Sequence, residues 1–72
     1  MRNYRLERAV TTARKELEAQ GVTYEPHQHN DYIMRMGYLL NRYGIDQDQA
    51  TEWALNTFTG YDGDIAGIFR KL

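Results

Sequence analysis

The chain has 72 residues, which is enough for one small domain with a modest core and little stability to spare. It contains no cysteine, and this excludes a disulfide framework or a zinc-thiolate site as a source of stability. The net charge is −1 and the pI is about 6.0, unlike the strongly basic balance typical of nucleic-acid-binding domains. That balance still leaves room for a local basic patch.

The sequence carries no sign of membrane insertion or secretion. No apolar run approaches the roughly 18 residues of a membrane span, and the opening MRNYRLERAV lacks the apolar core of a signal peptide. We therefore expect a soluble, cytoplasmic chain. A helical pattern begins directly after Met1, and apolar residues at helical spacing continue as far as Leu72. This favours a single helical domain over residues 1–72 that has been excised from a longer multidomain protein; a short natural protein is the alternative.

The first predicted helix covers residues 3–20 and ends before Gly21. Its apolar positions recur at intervals of four and three residues, so they share one face: Leu6, Val10, Ala13 and Leu17. The opposite side carries basic residues: Arg5, Arg8 and Lys15. The connection that follows contains Pro26, which cannot continue a helix.

The second predicted helix covers residues 31–43, with Asn30 as its N-cap and Gly44 just beyond its end. Its apolar arc is centred on Ile33, Met36, Gly37 and Leu40. The arc is extended on its two sides by Met34 and Tyr38, and by Tyr32, Leu39 and Tyr43. A helix that is apolar over most of its circumference is buried on several sides, so we predict that this helix is central. Gly37 would let a neighbouring helix approach closely.

The third predicted helix covers residues 47–58. Asp46 and Gln49 fit the N-cap and N3 positions of a capping box, and Ile45 and Ala50 fit a hydrophobic staple. Five residues of this segment are predicted to face inward: Ala50, Trp53, Ala54, Thr57 and Phe58.

A short fourth helix is predicted after the turn TGYDGD, with Asp62 or Asp64 as its cap. Its apolar residues are Ile65, Ile68 and Phe69. No strand pattern occurs. The predicted fold is therefore all-α: a compact bundle of three helices plus a short C-terminal fourth helix, with a helix-turn-helix-like connection between helices two and three.

The stretch LLNRYGIDQDQATEWAL has the spacing of a DNA-reading helix-turn-helix. The recognition helix would then carry Asp48 and Glu52 but no lysine or arginine, and DNA phosphates would repel it. Short glycine-containing turns also connect the helices of ordinary bundles, and we favour that interpretation.

Two histidines, His27 and His29, suggest a metal site, but a structural zinc site normally needs four ligands. We expect hydrogen-bonded or solvated loop histidines and no metal. The sequence contains no catalytic motif of the hydrolase or phosphate-loop kind. A chain of this size rarely encloses a substrate pocket. We therefore expect no enzyme activity and no cofactor.

Basic residues on the predicted helices are the candidate functional groups. Arg35 and Arg42 are seven residues apart on the one charged stripe of the second helix. They could bind phosphates or carboxylates together with Asn41 and the basic side of the first helix, which carries Arg5, Arg8 and Lys15. Six tyrosines add surfaces that suit stacking with single strands. The alternative is a solvated stripe in which Asp31 pairs with Arg35.

The stretch HNDYIMRMGYLLNRYGIDQDQATEWAL resembles a helical segment, similar to primase C-terminal domains, of VirE-type and primase-like proteins of conjugative transposons. In that segment an asparagine opens a helix, an asparagine-arginine-aromatic-glycine run ends it, and a helix with spaced alanines follows. The matching positions are Asn30, Asn41, Arg42, Tyr43, Gly44, Ala50 and Trp53. The resemblance covers residues 25–60.

The resemblance implies a non-catalytic accessory module of a mobile-element replication or mobilisation protein, one that assists nucleic-acid binding. It adds Asn30 to the candidate contacts; His29 stands before it, where related sequences would carry arginine. Its partners would be DNA, single or double stranded, and the neighbouring domains of the parent protein. The alternative is a protein–protein docking or self-associating module that uses exposed apolar residues such as Met34 and Leu55.

Overall fold

The computed structural model of the protein describes residues 4–24 and 31–72. Within these two ranges the chain forms four α-helices and no strand: α1 Tyr4–Ala19, α2 Asp31–Arg42, α3 Gln47–Thr57 and α4 Ile65–Arg70. The predicted all-α class and the order of three longer helices and a short fourth are confirmed. The helix ends that fall in these ranges lie within one residue of the predicted ends. The predicted start at Asn3 and the N-cap Asn30 lie outside the described residues.

The second helix is the centre of the bundle, as predicted. α2 packs against α1, α3 and α4, whereas α1 packs chiefly on α2. α1 and α2 are antiparallel, because Gln20 after the end of α1 contacts Arg35 near the start of α2. At the other end, Arg5 in the first turn of α1 contacts Gly44 just after α2. The Cα radius of gyration is 11.3 Å, close to the roughly 11 Å expected for a compact chain of this length.

The core is formed by the apolar faces that the periodicity predicts. Its largest fully buried side chains come from α1, α2 and α4: Leu17, Ile33, Met36, Leu40 and Phe69. The apolar arc of α2 is wider than its buried surface, since Met34 and Tyr38 on one side of the arc are 40% and 55% exposed. The inclusion of Tyr38 in the buried arc was wrong, whereas the exposure of Met34 is what the docking alternative expected. The three neighbouring helices cover only part of the circumference of α2, and these two side chains lie on the uncovered part.

The end of α3 also differs from the prediction. Thr57 was expected to face inward but is exposed. The helix ends at this residue, and the Phe58 backbone leaves the helical conformation at φ −102° and ψ 53°. Because the helical period no longer applies there, the Phe58 side chain can turn back into the core, where it is buried. The Phe58 ring packs against the aromatic rings of Tyr24, Tyr32 and Trp53, with centroids 4.9 to 6.0 Å away.

Carboxylate caps fix the starts of α3 and α4. An Asp46 carboxylate oxygen accepts hydrogen bonds from the backbone N–H groups of Asp48, at 3.1 Å, and Gln49, at 3.4 Å. Asp64 rather than Asp62 caps α4, because its side chain accepts from the Gly67 N–H at 3.0 Å. Each bond satisfies a donor that the first helical turn leaves unpaired. The predicted cap at Asp46 is therefore confirmed, and the choice between the two aspartates at α4 is resolved.

Gly37 allows α4 to approach α2 closely. A β-carbon at this position would lie 2.9 Å from Cε1 of the buried Phe69 ring and 2.5 Å from Cδ1 of Leu72. The exposed Leu72 side chain can move aside, but the Phe69 ring is fully enclosed and must be displaced. We therefore expect Gly37→Ala to cost more in overpacking, about 1 to 3 kcal/mol, than the roughly 1 kcal/mol it gains in helix propensity.

The measurement is urea denaturation followed by circular dichroism, with Gly60→Ala as the matched control. Gly60 has no neighbour within 4 Å of a β-carbon position and no left-handed backbone conformation. Alanine there is expected to add about 0.4 to 1 kcal/mol by restricting the unfolded chain. A Gly37→Ala protein as stable as the Gly60→Ala protein would show that α4 does not press on Gly37.

Candidate nucleic-acid interface

A shallow depression lies between the start of α1 and the end of α2. Its volume is about 390 Å³, and it is lined by Tyr4, Arg5, Arg8, Ala9, Thr12 and Tyr43. Ala9 is the small buried residue among them, whereas both arginines are exposed. The depression therefore combines an apolar floor, two aromatic rings and two guanidinium groups.

The α1 side of the depression follows from helical spacing. Arg5, Arg8 and Thr12 are separated by three and four residues, so they form a row along one side of the helix. The Thr12 hydroxyl donates to the backbone carbonyl of Arg8 at 3.0 Å, inside the helix, so it is already bonded. The arginines are therefore the groups of this row that can bind an anion.

The α2 side of the depression forms because α2 packs antiparallel to α1 and because a glycine follows the end of α2. Gly44 has φ +84°, a left-handed conformation that favours glycine. The Arg5 Nη2 atom lies 2.7 Å from the position that a β-carbon on residue 44 would occupy. The absence of a side chain at Gly44 thus gives the Arg5 guanidinium its place against the turn between α2 and α3.

Tyr43 is fixed in the depression by a hydrogen bond. Its hydroxyl donates to Glu16 Oε2 at 2.7 Å. This bond raises the pKa of Tyr43 above the ordinary value of 10.0; burial and the Glu16 charge act in the same direction, and the positive charge of Arg42 opposes them. The Tyr43 hydroxyl is therefore neutral at physiological pH. Arg42, which is exposed, adds a third guanidinium group to this end of the bundle.

The third helix carries acidic residues and no basic residue. The exposed side of this helix carries Asp48 and Glu52, Asp46 caps its start, and the helix contains no lysine or arginine. The turn 43–46 connects α2 and α3, and the second of these helices presents carboxylates. The depression on α1 and α2 is therefore the better candidate for binding an anion.

The predicted contact residues divide between different parts of the surface. Arg5, Arg8 and Arg42 lie at the end of the bundle that holds the depression. Arg35 lies toward the other end of α2, about 10 Å along the helix from Arg42. There it forms the predicted ion pair with Asp31 at 3.4 Å and donates to Gln20 Oε1 at 3.2 Å. The alternative of a self-paired side chain therefore fits Arg35.

The remaining predicted residues are not part of the depression. Lys15 is exposed on α1, two helical turns beyond Arg8, and does not line it. Asn41 lies on the α4 side of α2, where it lines a cavity of about 110 Å³ together with Gly37 and Phe69. Asn30, His27 and His29 lie outside the described residues.

Four of the six residues that line the depression were not among the predicted contacts, and two of these four, Tyr4 and Tyr43, carry aromatic rings. Tyr43 was assigned to the apolar arc of the second helix, and it is half-buried as that assignment implies. Tyr4 was included only among the six tyrosines that suit stacking, although it stands four residues before Arg8 and so on the same side of the helix. The sequence thus held a signal for Tyr4, but the meeting of Tyr43 with α1 depends on packing between helices.

Other kinds of site receive no support from the described residues. No group of three or more histidine, aspartate or glutamate side chains is arranged to hold a metal ion in ranges 4–24 and 31–72. None of the four helices has the length and apolarity needed to cross a membrane. Comparisons with protein-family models, curated proteins and solved structures found no match to this chain.

Proposed function

We propose that this chain is a non-catalytic helical module that binds nucleic acid through the depression formed by α1 and the end of α2. Arg5 and Arg8 bind backbone phosphates, and Arg42 adds positive charge beside them. On the resemblance of residues 25–60, the proposal assigns this module to a mobile-element replication or mobilisation protein that acts in the cytoplasm. The chemistry of that protein would reside in other domains.

The observation that carries this proposal is that Arg5 and Arg8 line one depression with Tyr43, the chain neighbour of Arg42, in a protein whose net charge is −1. Affinity for nucleic acid depends largely on neutralising phosphates, so the location of positive charge matters more than the total. Guanidinium groups also match phosphate oxygens in geometry. Glu16 borders the depression, but its hydrogen bond to Tyr43 directs the carboxylate to the hydroxyl.

The test is the affinity for fluorescently labelled oligonucleotides, measured by anisotropy at several salt concentrations. We expect the double variant Arg5→Ala, Arg8→Ala to bind on the order of tenfold more weakly at low salt. The slope of log affinity against log salt is expected to fall by about 0.7 to 0.9 for each lost phosphate contact, hence by about 1.4 to 1.8 in total.

Arg35→Ala is the matched control, because it removes an arginine that is already paired with Asp31 and lies away from the depression. It is expected to leave the affinity within about twofold of the unmodified protein, as exposed ion pairs contribute little. The proposal fails if the unmodified protein binds no oligonucleotide at low salt. It also fails if Arg35→Ala reduces binding as much as the double variant does.

Docking of another protein is a second candidate, and the exposure of Met34, Tyr38 and Leu55 favours it. The same salt series distinguishes nucleic-acid binding from protein docking. Apolar association is insensitive to salt, and it would be weakened by Leu55→Ser but not by the double arginine variant. Protein association with that pattern, in a chain that binds no oligonucleotide, would assign the module to docking.

A further inference from the structure

We infer that the depression binds an unpaired nucleobase against the Tyr4 ring while Arg5 and Arg8 bind the adjoining phosphates, so that its ligand is single-stranded nucleic acid. This inference rests on the proposed function and specifies which form of nucleic acid the depression accepts.

The first argument is the exposure of the Tyr4 ring. Its side chain is 67% exposed, the highest value among the large apolar side chains of the described residues. An aromatic ring on a residue this exposed keeps much of its apolar surface outside the core. Such a ring gains stabilisation when a planar base stacks on it, and stacking tolerates any base because every base has a π face.

The second argument is the combination of groups at one place. Tyr4 lines the same depression as Arg5, the next residue in the chain, and Arg8, one helical turn further. Single-stranded nucleic acids are bound by aromatic rings for the bases and basic groups for the backbone. Both kinds of group are present within two turns of α1.

The third argument is shape. The surface at this place is a shallow depression and not a protruding helix or ribbon. In a duplex the base faces are covered by stacking, and sequence-reading proteins insert a helix or ribbon into a groove. The helix in the recognition position here is α3, and its exposed side is acidic. The surface therefore suits an open strand better than a duplex.

The experiment compares Tyr4→Leu with two controls on a labelled single strand and on the duplex of the same sequence. Leucine keeps apolar bulk and helix propensity but removes the ring. Tyr4→Phe keeps the ring. Tyr38→Leu is the matched control, since Tyr38 is also exposed, at 55%, but does not line the depression. Circular dichroism verifies that all the variants are folded.

Tyr4→Leu is expected to bind the single strand about tenfold more weakly, which is the effect of losing roughly one stacked base. Its affinity for the duplex is expected to stay unchanged, and Tyr4→Phe and Tyr38→Leu are expected to remain within twofold on the single strand. An abasic strand, which has phosphates but no bases, should bind the unmodified protein as weakly as Tyr4→Leu binds the normal strand.

The inference is overturned if Tyr4→Leu binds the single strand normally, or if the abasic strand binds as tightly as the normal strand. In both cases the phosphate-binding role of Arg5 and Arg8 would survive, because their double variant would still weaken binding. A protein that binds no oligonucleotide at all would overturn the proposed function, and the inference with it.

Discussion

Replacing Phe69 with alanine is expected to lower the free energy of unfolding by about 3 to 5 kcal/mol. Phe69 is 1% exposed, the largest fully buried side chain of the described residues, and its ring lies against Gly37 of α2. A domain of this length has a total stability of about 4 to 11 kcal/mol. The substitution therefore removes a large share of the total and brings the protein close to unfolding.

The effect is large because α4 depends on tertiary contacts. A helix of six residues is far too short to be stable alone in water. Its attachment consists of the burial of Ile65 and Phe69 and of a hydrogen bond from Gln47 Nε2 of α3 to the Phe69 carbonyl, at 2.5 Å. Loss of the Phe69 ring is expected to leave a cavity between α2 and α4 that the backbone cannot close without moving the helix.

Urea denaturation followed by circular dichroism measures this loss, and Leu72→Ala is the control. Leu72 also contacts Gly37, but its side chain is 45% exposed, so its truncation is expected to cost less than about 1 kcal/mol. A loss for Phe69→Ala no larger than the loss for Leu72→Ala would contradict the docking of α4 on α2.

Much of the fold could be predicted from local sequence. Leu6, Val10, Ala13 and Leu17 follow a helical period, and Asp46 stands where a cap is needed, because these signals act within a few residues. The errors fall where the period gives no guidance. Tyr38 belongs to an apolar arc that is wider than the surface its three neighbours cover, and Thr57 lies where the helix stops.

The candidate site could be predicted only in part, because it joins groups that are distant in the chain. The row of Arg5 and Arg8 is visible in the sequence, and so is Arg42. Their proximity depends on the antiparallel packing of α1 on α2, which no local pattern determines. Arg35 shows both cases: its pairing with Asp31 at i, i+4 was an alternative that the sequence offered, whereas its contact with Gln20 of the chain segment after α1 depends on packing.

Gly44 matters both for the stability of the fold and for the position of Arg5 at the candidate site. We therefore expect Gly44→Ala to lower both the stability and the affinity for oligonucleotides. Alanine at φ +84° costs about 1 to 2 kcal/mol of folding free energy, since the left-handed conformation brings its β-carbon against the backbone. The new methyl group would also lie 2.7 Å from Arg5 Nη2. Arg5 is exposed and flexible, so it can move aside at little cost in stability, but its guanidinium then leaves its place beside the depression.

Gly21→Ala is the matched control for this substitution. Gly21 has nearly the same backbone conformation, φ +75°, but no neighbour within 4 Å of a β-carbon position. Urea denaturation should therefore show similar losses of stability for the two variants. Oligonucleotide affinity, measured where both remain folded, should fall only for Gly44→Ala, by about as much as for Arg5→Ala.

A double-mutant cycle makes the comparison specific to Arg5. If Gly44→Ala weakens binding by displacing the Arg5 guanidinium, it has no further effect on affinity in a protein that already carries Arg5→Ala. Its cost in stability persists in that background, because the left-handed backbone strain does not involve Arg5. Equal losses of affinity from Gly44→Ala with and without Arg5 would contradict this mechanism and would place the binding effect in the turn itself.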